Sequence, residues 1–477
     1  MNRDLKILLL SFGLGALAMI AFHIGSDLLA EDGSNRLTSV GTPHVVDPDP
    51  SEEKSVIFND ASMQKNWGLM GTHGTSDISA NKAWQITQGD RRIIVAIIDT
   101  GADVHHPDLE SNIWRNPGET GLDANGKDKS TNGKDNDGNG YINDVNGWNF
   151  VDNNNQVVDN HGHGTHISGI VGAAGGKGGS ISGVCPKVSL MILKYFDPKS
   201  KGNDNLRNTV RAIRYAVDMG ANIINYSGGG TDPNDDEFEA VKYAKDHGVL
   251  FVAAAGNEHS NSDLSHYYPA DYNLSNIISV TAIDPVAKVL KSSNFGKTSV
   301  NIAAPGEGIY STLPGGNYGY MTGTSQATAF VSGVAALILS HNKDFSADQV
   351  KKQIIATADE LPGLRDKSSS GGKLNSYAAL AKQPNIPATG IASSRSTAQA
   401  RVQVGVIGQA GVIGSHNKRT ENSILFGTGG EPSIGDPSSD NNHVLLSNLI
   451  KAINRPLAGA PGSPVLPEKS VDTANHL

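Results

Sequence analysis

The chain has 477 residues, with Lys+Arg 39 against Asp+Glu 48 and a net charge of −9, so no basic excess points to nucleic acid. Hydrophobic residues at 38%, charged residues at 18% and 55 glycines without a Gly-X-Y period exclude a coiled coil and collagen. The single cysteine, Cys185, excludes an intrachain disulfide and a cysteine-based metal cluster.

Arg3 and Lys6 precede an apolar run from Ile7 to Phe22, and polar text follows. That order is the one of an export signal, and the run is short for a bilayer span. Leu28-Leu29-Ala30 has a small residue at only one of the two usual cleavage positions. Residues 1–30 are therefore read as a signal peptide, with an uncleaved N-terminal anchor as the alternative. The protein is expected to be exported, secreted or periplasmic, and to meet a membrane only if this segment stays attached. Residues 31–59 are polar and rich in Pro and Asp, and read as a linker or short pro-segment.

Between about Ile93 and Ala381, short apolar runs alternate with helical periodicity. The predicted strands are 93–99 (IIVAIID), 188–196 (VSLMILKYF), 221–227 (ANIINYS), 249–255 (VLFVAAA) and 276–284 (NIISVTAID). Their apolar residues run continuously, as in parallel strands buried on both faces. Leu206, Val210, Ile213 and Val217 mark one helix face, and Phe238, Val241 and Ala244 another. The fold class that follows is α/β, a parallel sheet with helices on both faces in three layers. Ligands of such sheets bind at the carboxyl ends of the strands. Residues 383–477, rich in Ser, Gly, Ala, Asn and Pro, read as a mostly disordered, low-complexity tail that is dispensable for the fold. In it only 402–414 and 444–453 are candidates for order.

Three element ends carry polar residues that a plain fold does not need. Asp99 closes the strand 93–99, His163 lies at the start of a small-residue helix in HGHGTHISGIVGAAG, and Ser325 stands at a helix N-terminus in GTSQATAFVSGVAALIL. Each alone reads as an N-cap or turn residue. Together they supply what an activated serine requires: an imidazole to take its proton, and a carboxylate to fix the tautomer of that imidazole and stabilise its cation.

With these three segments in place, AAAGN at 253–257, NYSGG at 225–229, YPA at 268–270 and IAAPG before the serine segment, the chain resembles the subtilisin-like serine proteases over roughly residues 60–382. The resemblance implies a serine endopeptidase domain across that span, acting through an acyl-enzyme. It makes Asp99 the orienting carboxylate, His163 the general base and then acid, Ser325 the nucleophile and Asn257 the side-chain oxyanion donor beside the Ser325 N–H. It makes Tyr226, Ser227, Gly228 and Gly229 the strand that pairs with an extended polypeptide substrate, with Ala254, Ala255 and Gly256 as further substrate contacts. The expected partners are polypeptide substrates alone, and the enzyme is expected to be a monomer. The sequence departs from the family where Gln326-Ala-Thr-Ala-Phe330 follows the serine, at Gly228, and in the short span before the catalytic domain. Cys185 is expected to be a buried, dispensable thiol.

The insertion from Gly133 to Asp144 reads as a calcium loop. Asp135, Asp137 and Asn139 take alternate positions, Gly140 allows the sharp turn, the Tyr141 carbonyl follows, and Asp144 closes the set where an EF-hand would use a later Glu. Relatives in the family carry similar insertions that look like calcium sites, with Glu119 a further candidate ligand here. Asp108 matches a second family calcium ligand, but residues 174–180 lack the partner asparagines. Two other readings compete. One is a di-metal hydrolase built on His161, His163 and His166, which fails at Thr165 where that pattern needs an aspartate. The other is a non-catalytic, calcium-stabilised surface protein, which leaves four intact catalytic positions without a purpose. His105, His106, His161 and His166 are expected to be structural or exposed.

Overall fold

A computed structural model describes residues 65–71, 76–175, 181–198 and 205–382. The expectations for 1–30, 31–59 and 383–477 lie outside the described residues. After a short turn of helix, α1 (Ala80–Ala83), the chain enters the longest strand, β1 (Gly89–Asp99). It then forms β2 (Gly147–Asn149), α2 (His163–Gly172), β3 (Lys187–Lys194), α3 (Asn205–Asp218), β4 (Ile223–Tyr226), α4 (Asp235–Asp246), β5 (Leu250–Ala254), β6 (Ile277–Ile283) and β7 (Ile302–Pro305). A hairpin follows, β8 (Ile309–Leu313) and β9 (Asn317–Met321), then α5 (Thr324–His341), α6 (Ala347–Ala356), β10 (Asp359–Glu360), β11 (Gly372–Lys373) and α7 (Ser376–Ala381).

Nine strands form one sheet in the order β2-β3-β1-β4-β5-β6-β7-β11-β10. All neighbours are parallel except the edge pair β10–β11. The continuous apolar runs are explained by burial on both faces. Val95 and Ile97 of β1 join Ile170 of α2 and Val334 of α5 in one core, whereas Ala96 and Ile98 join Ile213 of α3 and Val241 of α4 in another. Successive strand residues point to opposite faces, so each apolar run feeds two cores.

Helix α5 is buried from Thr324 to Leu339, as expected of a helix apolar all round. Small residues let it sit close: a Cβ at Gly333 would lie 2.5 Å from Val184 Cβ. From β1 the chain moves to β3 on one side and later returns to β4 on the other. The strand order therefore reverses at β1, and its carboxyl end is the crevice where such sheets take ligands. Asp99 is the last residue of β1. Among the described residues, no helix is long and apolar enough to cross a membrane.

Candidate active site

Asp99 and His163 meet at that crevice. His163 Nδ1 lies 2.7 Å from Asp99 Oδ1, and both side chains are buried. His163 opens α2, and Gly164 permits the contact, because a Cβ there would collide with the Gly101 carbonyl and lie 3.1 Å from Asp99 Cβ. Burial, the largest single influence, favours the neutral ring, but the charge and hydrogen bond of Asp99 and the charge of Asp159 outweigh it. The net shift of His163 is upward from 6.5. That is the balance wanted of a base that must carry a proton briefly.

Asp159, which the sequence reading missed, organises the start of α2. Its Oδ1 accepts from His161 N (2.9 Å), Gly162 N (2.7 Å) and the Thr100 hydroxyl (2.9 Å), and its Oδ2 from Thr165 N (2.8 Å) and the Thr165 hydroxyl (2.6 Å). A carboxylate at a helix N-terminus meets otherwise unpaired N–H groups and the positive end of the dipole. The Thr100 hydroxyl in turn accepts from Gly164 N at 2.9 Å. Behind this loop the buried Lys194 ammonium donates to the Val158 carbonyl (3.0 Å) and to Asp197 (2.8 Å).

Ser325 lies in the first turn of α5, after Gly323. Its Oγ donates to the Ser227 carbonyl at 3.2 Å, and the hydroxyl is not hydrogen-bonded to His163 in this structure. Such contacts are often loose before substrate arrives. Asn257 Oδ1 accepts from Thr324 N (3.1 Å) and the Thr324 hydroxyl (3.3 Å). This fixes the amide so that Nδ2, the donor, is free for another partner.

Of the expected substrate segment, Tyr226 gives its ring to the core: the hydroxyl meets Thr209 at 3.3 Å, and the ring packs on Tyr195 and Phe251. The segment then continues from the buried Ser227 and Gly228 through the half-buried Gly229 to Gly230, which pairs with Tyr268. Ala254 and Ala255 are buried, Ala255 N donates to Val280, and Asn294 takes up the Ala255 and Gly256 carbonyls. These three residues form a wall that presents Asn257. Asn294 gave no signal in the sequence. It lies 39 positions beyond Ala255, in a loop without a pattern.

In the acidic loop, oxygens of Glu119, Asp137 and Asp144 lie within 4.8 Å of one another. Two oxygens bound to one calcium ion are at most about 5 Å apart, so the spacing fits. Asp144 and Glu119 are buried. Burial, above all, raises the Asp144 carboxyl, the Tyr215, Asn139 and Asn116 hydrogen bonds oppose this, and the Asp137 charge adds to it. A cation would relieve that cost. Asn139 reaches both Asp137 and Asp144 through Nδ2, while Tyr141 packs its ring on Trp148, Phe150 and Tyr215. Asp135 adjoins Asp137, and its oxygens also accept the Gly138, Asn139 and Gly140 N–H groups and shape the turn.

Asp108 has protein partners, the Ile181 N–H and the Tyr318 hydroxyl, both at 2.8 Å. His166 bonds the Ile309 and Gly319 carbonyls through Nε2, and burial holds it down to about 3. His106 is likewise engaged, by Asn317 and Asp108, and His105 is exposed. His166 and His106 therefore serve the scaffold. Cys185 is buried, as expected.

The sequence pattern of the subtilase family matches residues 90–381. The chain is 32% identical over 329 residues to the thermophilic serine proteinase of Bacillus sp. (strain AK1), covering 69% of this chain and 72% of that protein. It is 34% identical over 308 residues to thermitase of Thermoactinomyces vulgaris, covering 65% and 95%. With the major intracellular serine protease of Bacillus subtilis (strain 168) it shares 36% over 273 residues, covering 57% and 76%.

Proposed function

The chain belongs to the subtilase family and is a serine-type endopeptidase, and from that premise we propose that Asp99, His163, Ser325 and Asn257 carry its chemistry in an exported, calcium-stabilised enzyme. The observation that carries the assignment is the buried 2.7 Å contact of His163 Nδ1 with Asp99 at the carboxyl end of β1. With Nδ1 committed to the carboxylate, Nε2 is the basic nitrogen. Ser325 Oγ gives its proton to Nε2 and bonds to the substrate carbonyl carbon. The oxygen of that carbonyl becomes an oxyanion held by Asn257 Nδ2 and the Ser325 N–H. The imidazolium then protonates the leaving amine, which departs from the acyl-enzyme. Water, deprotonated by the same ring, releases the acid and restores Ser325.

The substrate is an extended polypeptide whose backbone pairs with residues 227–229, which favours loops and unfolded regions over folded elements. The enzyme acts as a monomer. The fit of Glu119, Asp137 and Asp144 to a hard cation supports calcium as a stabilising ion, with Asn139 and the Tyr141 carbonyl completing the loop and Asp135 shaping it. Export rests on residues 1–30 of the sequence. The domain from about 60 to 382 is the active unit, and 383–477 is removable.

Labelling with a fluorophosphonate probe tests the assignment. The parent should be labelled and should hydrolyse casein. Ser325→Ala should not be labelled, and both Ser325→Ala and His163→Ala should lose nearly all turnover. Full activity of either purified variant, with contaminating proteases excluded, sinks the assignment.

A further inference from the structure

The two segments that flank the site are glycine at facing positions, Gly229 and Gly256, and one ring lies between them. A Cβ at Gly229 would collide with Tyr267 Cε1, and one at Gly256 would lie 3.0 Å from Tyr267 Cδ2. Cε1 and Cδ2 are opposite corners of the phenol ring, so the ring spans the gap from one segment to the other. Tyr267 is buried and firmly placed. Its neighbour Tyr268 exchanges both backbone hydrogen bonds with Gly230, at 2.9 and 2.7 Å, and Tyr267 N donates to Asp271 at 2.8 Å. Glu258, held by Asn294 at 2.7 Å, crowds the same gap from the Gly256 side. Beyond Gly229 the segment is hemmed in as well, since a Cβ at Gly228 would collide with the Tyr195 hydroxyl.

A polypeptide aligned along 227–229, with its reacting carbonyl between Asn257 Nδ2 and the Ser325 N–H, turns the side chain of the acyl residue toward the space between 228–229 and 255–256. Resting on the peptidase reading above, we infer that Tyr267 sets specificity by filling this space, so that the enzyme cleaves polypeptides after small residues, glycine or alanine, and rejects large apolar ones. A filled pocket discriminates by exclusion, and each excess methylene in a pocket that cannot yield costs roughly 10–200-fold.

The test is a series of chromogenic tetrapeptide anilides that differ only in the residue before the scissile bond: Gly, Ala, Leu or Phe. For the parent enzyme, kcat/KM for Ala should exceed that for Phe at least tenfold. In Tyr267→Ala the Phe-to-Ala ratio should rise at least tenfold. A parent that cuts after Phe or Leu as fast as after Ala overturns the inference, and so does a Tyr267→Ala enzyme with an unchanged ratio. Should that variant fail to fold, Tyr267→Leu is read in the same way, and the parent's own ranking decides independently. Fluorophosphonate labelling of Ser325 separates the two levels. An unlabelled parent refutes the peptidase assignment, whereas a labelled one with the wrong ranking refutes only the role of Tyr267.

Discussion

The Thr100 hydroxyl donates to Asp159 Oδ1 at 2.9 Å while accepting the Gly164 N–H at 2.9 Å, and this ties the strand ending in Asp99 to the helix beginning at His163. Asp99 and His163 are thus registered by a pair of neighbours, and the distance between them does not depend on these two side chains alone. Asp159→Ala should leave the N-terminus of α2 without its acceptor and lower kcat/KM by about 10²-fold, as expected when reacting groups shift by about 1 Å. The same variant should move the acidic limb of the pH profile downward, because the Asp159 charge helps raise His163. A parental limb alongside parental activity would show that Asp159 is only structural.

The pH dependence of the parent follows from His163. Catalysis needs the neutral ring, and its folded value lies above 6.5. Activity should be full at alkaline pH and fall as pH drops through a midpoint above 6.5, one proton being taken up. A kcat/KM profile on a peptide anilide measures this, and a midpoint clearly below 6.5 contradicts it.

Asn257→Ala removes the side-chain oxyanion donor and leaves the Ser325 N–H. The expected loss is about 10²–10³-fold in kcat with little change in KM, a figure drawn from an enzyme of this family rather than from this geometry. Asn257→Asp, isosteric but without the N–H donors, should fail equally. Near-parental kcat in both would remove Asn257 from the mechanism.

Chelation should lower the melting temperature, and calcium should restore it better than magnesium, which tolerates the irregular ligand set poorly. An ion at 100 times its dissociation constant adds about 2.7 kcal/mol. For a domain of about 320 residues, with an unfolding entropy of about 2.1 cal/mol/K per residue, that corresponds to about 4 °C. Glu119→Gln/Asp137→Asn should abolish the dependence, while Asp135→Ala, whose oxygens serve the turn, should weaken it through the loop. A calcium response preserved in the double variant places the main site elsewhere.

Burial pushes the Cys185 thiol far up, with the Gln88 and Lys187 carbonyls its near neighbours. The native protein should resist iodoacetamide at pH 8 and react once unfolded. Cys185→Ala should keep parental kcat, at a stability cost on the order of 1 kcal/mol for the small cavity.

The central strands were legible to within a few residues because burial on two faces leaves an unbroken apolar run, as in Ile93–Asp99 within β1. The helices α3 and α4 were legible through periodicity. The hairpin β8–β9 and the edge strands were not, since β9 alternates weakly and β10 and β11 are two residues each. The triad and Asn257 stood out because chemistry demands particular side chains at element ends. Asp159 offered a signal that went unused, a carboxylate four positions before the base. Asn294 and Tyr267 offered none, for their roles depend on contacts that exist only once distant loops have come together. The acidic loop was found, but spacing alone could not tell that Asp135 would spend its oxygens on its own turn.

Helix α5 holds Ser325 in its first turn and is buried from Thr324 to Leu339, covered on every side. A helix in that position cannot fray from its carboxyl end without opening the larger core, so its amide protons should exchange with solvent only when the whole domain unfolds. Loss of function on heating should accordingly coincide with global melting. No population of folded but inactive molecules should precede it.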